Sequence, residues 1–204
     1  SHPTGNTFVR ALLEELHRKG HLDLFYTTLG CGSDSMLRTP LKRRTYPIPS
    51  SKISTHSWPE LRRLIGSRLP FSFSRLNAPV DPIYRKLDQW VAEQLPKRKP
   101  DIIHCYEDGA FHTFQKAQEL GIRRSYELPI AHHETLRRLL RKEAERWPDW
   151  EPTLLATREP DEKLHRKDRE LEMADSICCP SQFVLNTLPP CLREEKSCFV
   201  APFG

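Results

Sequence analysis

The chain has 204 residues, of which 37% are hydrophobic and 29% are charged, so it can bury a core, and disorder of the whole chain is disfavoured. Its length suits one large α/β domain or two small ones. The formal net charge of +5 favours either an anionic partner (a sugar nucleotide, a phosphate or an anionic membrane) or merely a solvated basic surface. Nucleic-acid binding is disfavoured, because glutamates interrupt the arginines and no recognition motif accompanies them. No apolar run approaches the roughly 20 residues of a membrane span.

An amphipathic helix is predicted between Asn6 and Gly20. Its apolar stripe comprises Phe8, Ala11, Leu12 and Leu16. Thr4 or Asn6 can cap the helix, and Gly20 ends it. A strand is predicted over residues 22–28. A further strand before the helix would place Gly5 at the helix N-terminus, where backbone N–H groups and the helix dipole favour a phosphate. Use of Gly5 in a turn alone is the simpler alternative.

Residues 30–56 are polar and predict a loop with one short strand near residues 44–48. A basic amphipathic helix is then predicted to begin at Ser57, which can cap it. This helix carries Trp58, Arg62 and Arg63. Such a helix can lie on an anionic membrane surface, although an ordinary domain helix with an arginine-rich outer face is the alternative. Another amphipathic helix is predicted over residues 83–95.

Two predicted strands end in polar loops. The strand that ends at Tyr106 is followed by Glu107 and Asp108, and a helix over residues 110–120 comes next. The strand over residues 123–128 is followed by His132, His133 and a charged helix. Ligands of an open parallel sheet bind at the carboxyl ends of its strands. Paired histidines there can bind a substrate or handle a proton, but one of the acids could instead cap a helix, and the histidines could lie at the surface.

The C-terminal part predicts a β-α-β unit of a parallel sheet. A charged helix over residues 162–174 precedes a strand over residues 176–179. Ser181 can cap the next helix, and a second strand includes residues 199–200. The six cysteines form no C-x-x-C pair, which favours buried free thiols in a reducing compartment over a zinc site made by Cys191, Cys198 and a histidine.

Four blocks of the sequence resemble the N-terminal domain of a retaining glycosyltransferase of family 4. They are HPTGNTFVRALLEEL at 2–16, YEDGAFHTFQKAQELGI at 106–122, YELPIAHHETLRRLLRKEAERWPDW at 126–150 and KLHRKDRELEMADSICCPSQFVLNTL at 163–188. The resemblance implies an α/β fold, a Rossmann-like open parallel sheet with helices on both faces, as in the N-terminal half of a GT-B architecture. It also implies that residues 1–204 form this one domain. The first strand and the C-terminal nucleotide-sugar domain are then expected to be absent, with the border at residues 202–204.

The resemblance further implies the acceptor-binding half of an enzyme that moves a sugar from a nucleotide sugar to an acceptor hydroxyl. Catalysis would take place in the cleft with the C-terminal domain, so the isolated chain should be poorly active. By position, the donor diphosphate would approach Gly5 and Asn6. The acceptor would face Glu107, Asp108 and Glu127. The catalytic candidates are His132, His133 and Asp108.

The same resemblance implies neither a metal nor a cofactor, since the nucleotide sugar is a substrate. The free thiols favour a cytoplasmic enzyme, and the basic amphipathic helix that carries Trp58, Arg62 and Arg63 favours a peripheral membrane contact. A different class of function stays open. The chain could be a non-catalytic module that binds a membrane surface, a sugar or a nucleotide.

Overall fold

A computed structural model describes residues 1–36, 44–58, 60–61 and 80–203. The chain divides into two compact units, residues 1–101 and residues 102–203. Across the described ranges, no helix is both long enough and apolar enough to cross a membrane.

The first unit contains two small parallel sheets. Its elements are α1 (Thr7–Arg18), β1 (Phe25–Thr27), β2 (Cys31–Gly32), β3 (Thr45–Tyr46), a 3₁₀ turn (Ser50–Lys52), β4 (Ile53–Thr55) and α2 (Asp81–Arg98). Strand β1 pairs with β4, and β2 pairs with β3. The described helical residues near position 60 are Ser57, Trp58, Glu60 and Leu61.

Helix α1 forms in the predicted place, but the predicted apolar stripe is wrong: Phe8, Ala11 and Leu12 are exposed, whereas Val9 and Leu13 are buried. The side chain of Asn6 caps it by accepting a hydrogen bond of 2.8 Å from the backbone N–H of Val9. After the helix, Gly20 adopts a φ of +73°, a conformation that favours glycine. The apolar face of α1 packs against the strands of this unit. The core formed in this way contains Val9, Leu13, Leu22, Phe25, Tyr46 and Ile48.

The segment between β1 and α2 holds more strand than the sequence predicts. A strand near residues 44–48 is confirmed as β3, but β2 and β4 lie in the stretch interpreted as loop. They are two and three residues long, and each is fixed by main-chain pairing with a segment distant in sequence. Strands this short leave no side-chain alternation to detect. Helix α2 confirms the helix predicted over residues 83–95.

The second unit contains one four-stranded parallel sheet in the order β5-β6-β7-β8. Its strands are β5 (Ile102–Tyr106), β6 (Arg123–Glu127), β7 (Ser176–Cys179) and β8 (Ser197–Val200). Its α-helices are α3 (Phe111–Glu119), α4 (His133–Arg146), α5 (Asp161–Met173), α6 (Gln182–Thr187) and α7 (Pro190–Glu195). Two 3₁₀ turns, Pro148–Thr153 and Leu155–Arg158, lie between α4 and α5.

The sheet of the second unit confirms the predicted strands and their parallel pairing. Residue Tyr106 at the end of β5 pairs with Glu127 at the end of β6. The buried interior includes Ile103, Cys105, Phe114, Tyr126, Leu171 and Ile177. Ser181 caps α6 as predicted, because its hydroxyl accepts from the backbone N–H of Val184. The carboxyl ends of β5 and β6 are therefore adjacent, and the polar loops after them lie together.

Candidate functional site

Helix α5 positions the polar side chains at the carboxyl ends of β5 and β6. Lys163, Lys167 and Glu170 recur at the helical spacing i, i+4, i+7, so one face of α5 presents them together. Both Lys167 and Glu170 are buried. Asp168 lies next to this face and points to the loop after β6, as its contacts with the histidines there show.

Glu170 caps helix α3 across 60 residues of sequence. Its carboxylate accepts from the backbone N–H groups of Asp108, Ala110 and Phe111 at 3.0, 3.1 and 3.2 Å. The hydroxyl of Tyr126 donates a fourth hydrogen bond of 3.0 Å. The interpretation that Glu107 or Asp108 caps this helix is therefore wrong. The distant carboxylate reaches the same N–H groups and, being fully buried, needs all four bonds.

Glu107 and Asp108 take part in a partly buried network of ion pairs with α5. Lys167 Nζ lies 3.5 Å from Glu107 Oε1, and Lys163 Nζ lies 3.1 Å from Asp108 Oδ2. Glu159 pairs with both lysines, at 3.3 Å from Lys167. Asp108 has a φ of +68°, in the left-handed region that aspartate tolerates better than most residues. The loop after β5 is thus held by charge pairs on one side and by Glu170 on the other.

Glu107 is a carboxyl group of this network whose pKa is raised. Burial raises its pKa to about 7, against the opposing effect of Lys167. Burial alone would lower the pKa of Lys167, but the surrounding carboxylates raise it. A carboxyl group that titrates near neutrality can hold or release a proton under physiological conditions.

Glu127, the third predicted acceptor residue, lies at the end of β6 and contacts His104 on the neighbouring strand. His104 Nε2 is 3.3 Å from Glu127 Oε2, and its Nδ1 is 3.0 Å from the hydroxyl of Ser125. Glu127 is therefore in the same strand-end region as Glu107, as the parallel register requires. Its role towards an acceptor stays a prediction.

The two predicted histidines meet at one carboxylate. His133 Nε2 forms a contact of 2.6 Å with Asp168 Oδ1, and His132 Nε2 lies 3.4 Å from the same atom. Both imidazoles are buried, with ring centroids 4.2 Å apart. Burial, followed by the neighbouring His133, lowers the pKa of His132, so its imidazole is neutral at physiological pH. The sequence predicted the histidines, but their partner Asp168 was missed.

A cationic groove of about 640 Å³ runs beside α4. Its lining contains four cations, two acids, a histidine and a leucine: Arg137, Arg138, Arg141, Lys142, Glu134, Glu145, His133 and Leu164. Helical spacing places these cations on neighbouring turns of α4. The four cations outnumber the two acids, so the groove carries a net positive charge.

The predicted diphosphate residues lie in the first unit. Asn6 is the N-cap of α1, and Gly5 precedes it directly. A Cβ atom at Gly5 would lie 2.6 Å from Cε1 of the buried Tyr46, so packing alone requires glycine there. The structure thus gives packing against Tyr46 as a reason for glycine at this position, and the turn interpretation and the diphosphate role both stay predictions.

Of the three residues predicted to form a membrane surface, the structure describes only Trp58, whose side chain is 69% exposed. Arg62 and Arg63 lie outside the described residues. Nearby, Arg44 pairs with the buried Glu60 at 3.2 Å.

All six cysteines are free, and Cys191 is exposed while Cys198 is half-buried. In the described part of the chain, the side chains grouped closely enough to hold a metal ion are those of His132, His133 and Asp168. Neither Cys191 nor Cys198 belongs to this group.

The similarity of this chain to known proteins is structural. Neither models of protein families nor curated protein sequences match it. Among solved structures, a UDP-glucosyltransferase from Polygonum tinctorium that glucosylates indoxyl matches 100% of this chain with a TM-score of 0.50 and 14% identity. UGT2 from Phytolacca americana, complexed with UDP-2-fluoro-glucose and pterostilbene, matches 98% with a TM-score of 0.50 and 11% identity. TcCGT1 in complex with UDP matches 100% with a TM-score of 0.51 and 13% identity.

The chain spans about half the length of these proteins, with 51%, 52% and 50% of them covered. The fold is that of half a GT-B glycosyltransferase. The predicted α/β class with parallel sheets is thus confirmed. Identities of 11–14% establish the fold alone.

Proposed function

We propose that this chain is the acceptor-binding half of a glycosyltransferase that moves a sugar from a nucleotide sugar to an acceptor hydroxyl. The observation that carries the proposal is the structural match of the whole chain to half of UDP-glycosyltransferase structures. The other half of the enzyme would be a second α/β domain that holds most of the donor. Catalysis would then take place between the two halves.

A uridine diphosphate sugar is the donor that we favour. One similar structure holds UDP, another holds UDP-2-fluoro-glucose, and a third is described as a UDP-glucosyltransferase. The diphosphate would approach the N-terminus of α1 at Gly5 and Asn6, where the helix dipole stabilises the negative charge that develops on the leaving group. The six free cysteines support a reducing compartment such as the cytoplasm.

The acceptor would bind at the loops that follow β5 and β6. Glu107, Asp108 and Glu127 supply carboxylates there, and such groups bind the hydroxyls of a sugar or another acceptor. Asp108, His132 and His133 are the catalytic candidates. Asp108 is paired with Lys163, Lys167 and Arg166, and His133 is bonded to Asp168, so a catalytic role of either requires exchange of a partner for substrate. His132 Nε2 has no hydrogen-bond partner among the described residues.

Retention of the anomeric configuration is the stereochemical outcome that we propose. It is supported by the four sequence blocks that resemble family 4 enzymes. Proton NMR of the product immediately after transfer measures this configuration directly. An inverted product would overturn the retaining assignment and leave the transferase proposal intact.

The experiment that tests the proposal compares two proteins in a transfer assay with UDP-sugars and a panel of hydroxyl acceptors. One is the 204-residue chain, and the other is the same chain followed by a nucleotide-sugar domain. We expect turnover from the second protein and little or none from the first, because the donor contacts are divided between the halves. Equal turnover by both proteins would contradict the two-half proposal, and the absence of turnover from both would contradict the transferase proposal.

A non-catalytic membrane-binding module is the second candidate. The exposed side chain of Trp58 favours it, because a tryptophan at the surface of a basic helix can insert at a membrane interface. Peripheral membrane contact is also compatible with an enzyme. Vesicle binding without any transfer activity would favour the module alone.

A further inference from the structure

Three potential metal ligands meet at the N-terminus of α4. His132, His133 and Asp168 each offer one donor atom, and the three atoms lie within 4.8 Å of one another. Two imidazole nitrogens face a single carboxylate oxygen, Asp168 Oδ1, at 2.6 Å from His133 and 3.4 Å from His132. The histidines are 8% and 3% exposed, so solvent has little access to either ring.

A hydrogen bond accounts for only one of these two contacts. His133 Nε2 is bonded to Asp168, whereas His132 Nε2 is buried and has no hydrogen-bond partner within the ranges that the structure describes. The 3.4 Å contact of His132 with the carboxylate is short enough for a hydrogen bond but has the wrong direction. Two ligand atoms of one metal ion also lie close together without a hydrogen bond between them, because each is directed at the ion.

We propose that His132, His133 and Asp168 bind a divalent transition-metal ion of the zinc class. Zinc binds imidazole nitrogen and carboxylate oxygen at about 2.0–2.2 Å, so tetrahedral ligand atoms lie about 3.3 Å apart. The separations from Asp168 Oδ1 are 2.6 and 3.4 Å, and the three donor atoms lie within 4.8 Å of one another, so side-chain rotations must bring them to this spacing around an ion. Magnesium and calcium are disfavoured, because they select oxygen ligands and two of the three donors are nitrogens.

The backbone around these side chains is fixed without an ion. The N–H of His132 donates to the hydroxyl of Thr187 at 2.9 Å, and its carbonyl accepts from Leu136 at 2.9 Å. Asp168 lies on α5 between Lys167 and Glu170, whose buried contacts hold that helix in place. An ion would therefore meet ligands that are already positioned, which lowers the cost of binding it.

Access to the ion would come from the side of Asp168, whose side chain is 39% exposed. Three protein ligands leave a fourth position for a water molecule or another oxygen ligand. This metal site departs from the expectation that the chain binds no metal. It also goes beyond the proposed function, because ion binding can be measured without any sugar transfer.

The test is zinc binding by the 204-residue chain after removal of metal with EDTA. Isothermal titration calorimetry should show one equivalent of zinc bound, and magnesium should not compete. The variants Asp168→Asn and His133→Gln should each weaken zinc binding about tenfold or more, as loss of a ligand requires. Circular dichroism checks that the variants are folded, and Asp168→Asn keeps the side-chain shape at a partly exposed position.

Two control variants separate this site from incidental binding. His165→Gln removes an exposed histidine from the same helix, and Cys191→Ser removes the exposed thiol, so neither should change the affinity. X-ray absorption at the zinc edge should show nitrogen and oxygen neighbours without sulfur. The proposal is overturned if no saturable equivalent binds, if Asp168→Asn binds as tightly as the unaltered chain, or if sulfur lies beside the zinc.

Discussion

At the scale of single residues, the best-defined packing in the first unit surrounds Tyr46. Its side chain is fully buried, its ring contacts Phe25 with a centroid distance of 4.8 Å, and its hydroxyl lies 3.3 Å from Thr27 Oγ1. Cβ atoms at Gly5 and Gly30 would lie only 2.6 and 2.3 Å from its ring. The ring therefore requires glycine at both positions, whatever ligand the Gly5 loop binds.

Replacing Gly5 should destabilise the fold without any involvement of a ligand. We expect Gly5→Ala to lower the free energy of unfolding by about 1–3 kcal/mol, because the rigid Tyr46 ring cannot move aside. Urea unfolding followed by circular dichroism measures this change. At Gly20 a Cβ meets nothing within 4 Å, so Gly20→Ala should cost only the strain of its positive φ, about 1 kcal/mol. A Gly5→Ala variant as stable as the unaltered chain would contradict the packing argument.

Asn6 gives a cleaner test of the proposed diphosphate contact. Aspartate caps a helix as well as asparagine does, so Asn6→Asp should keep α1 intact while adding a negative charge. In the complete enzyme we expect kcat/KM for the nucleotide sugar to fall about tenfold or more, since 1.4 kcal/mol of repulsion suffices for tenfold. Asn6→Ser, which caps the helix without a charge, is the matched control. Equal kinetics of the two variants would argue against a diphosphate at this position.

Because of Glu107, the free energy of unfolding should fall as the pH rises. An ordinary ion-paired carboxylate has the opposite effect. Its pKa is about 7 in the folded chain and 4.5 in the absence of burial. Between these two values the folded state binds more protons than the unfolded state, so the stability contributed by Glu107 falls as the pH rises. From pH 4.5 to pH 8, we expect the unaltered chain to lose about 3 kcal/mol relative to Glu107→Gln. A pH-independent difference between their urea unfolding free energies would show the expectation to be wrong.

At the scale of elements, α5 holds the loops of the second unit in place. Glu170 satisfies the N-terminus of α3, Lys163 and Lys167 neutralise the acids after β5, and Asp168 meets the histidines before α4. The sequence predicted α5 as a charged helix. The charged side chains with buried partners could not be distinguished in the sequence, because charged residues occupy most positions of this helix.

Replacing Glu170 with an uncharged residue should therefore lower the free energy of unfolding more than replacing any one of its partners. Glu170→Gln places an amide NH₂ group among three backbone N–H donors, and we expect a loss of about 2–4 kcal/mol. Tyr126→Phe removes one hydrogen bond to the same carboxylate and should cost about 1–2 kcal/mol. Hydrogen exchange should also become faster at Ala110 and Phe111 in Glu170→Gln. If Glu170→Gln were no more destabilising than Tyr126→Phe, Glu170 would not be the cap that holds α3.

At the scale of the whole molecule, the chain consists of two compact α/β units and matches half of larger enzymes. The first unit carries the residues proposed for the donor diphosphate and the exposed Trp58. The second carries the residues proposed for the acceptor and for a metal ion. That residues 1–204 act as one acceptor-side domain is our proposal, and it is consistent with the extent of the match.

Sedimentation with lipid vesicles measures whether the whole chain binds a membrane. We expect the chain to sediment with vesicles that contain anionic lipid, to stay in solution with neutral vesicles, and to be released by salt. Arg62→Glu combined with Arg63→Glu should abolish this binding, because it reverses the charge beside Trp58. Sedimentation that is unchanged in the double variant would exclude this helix as the membrane surface.

The sequence by itself determined the elements whose signals are local. The caps at Asn6 and Ser181 follow from residue types a few positions apart, and the parallel pairing of β5 to β8 follows from the helices predicted between the strands. Only the tertiary structure decided which distant groups meet. Glu170 reaches α3 across 60 residues, and Asp168 reaches His133 across 35. A hydrogen bond or an ion pair depends on distance in space, and no periodicity along the chain records it.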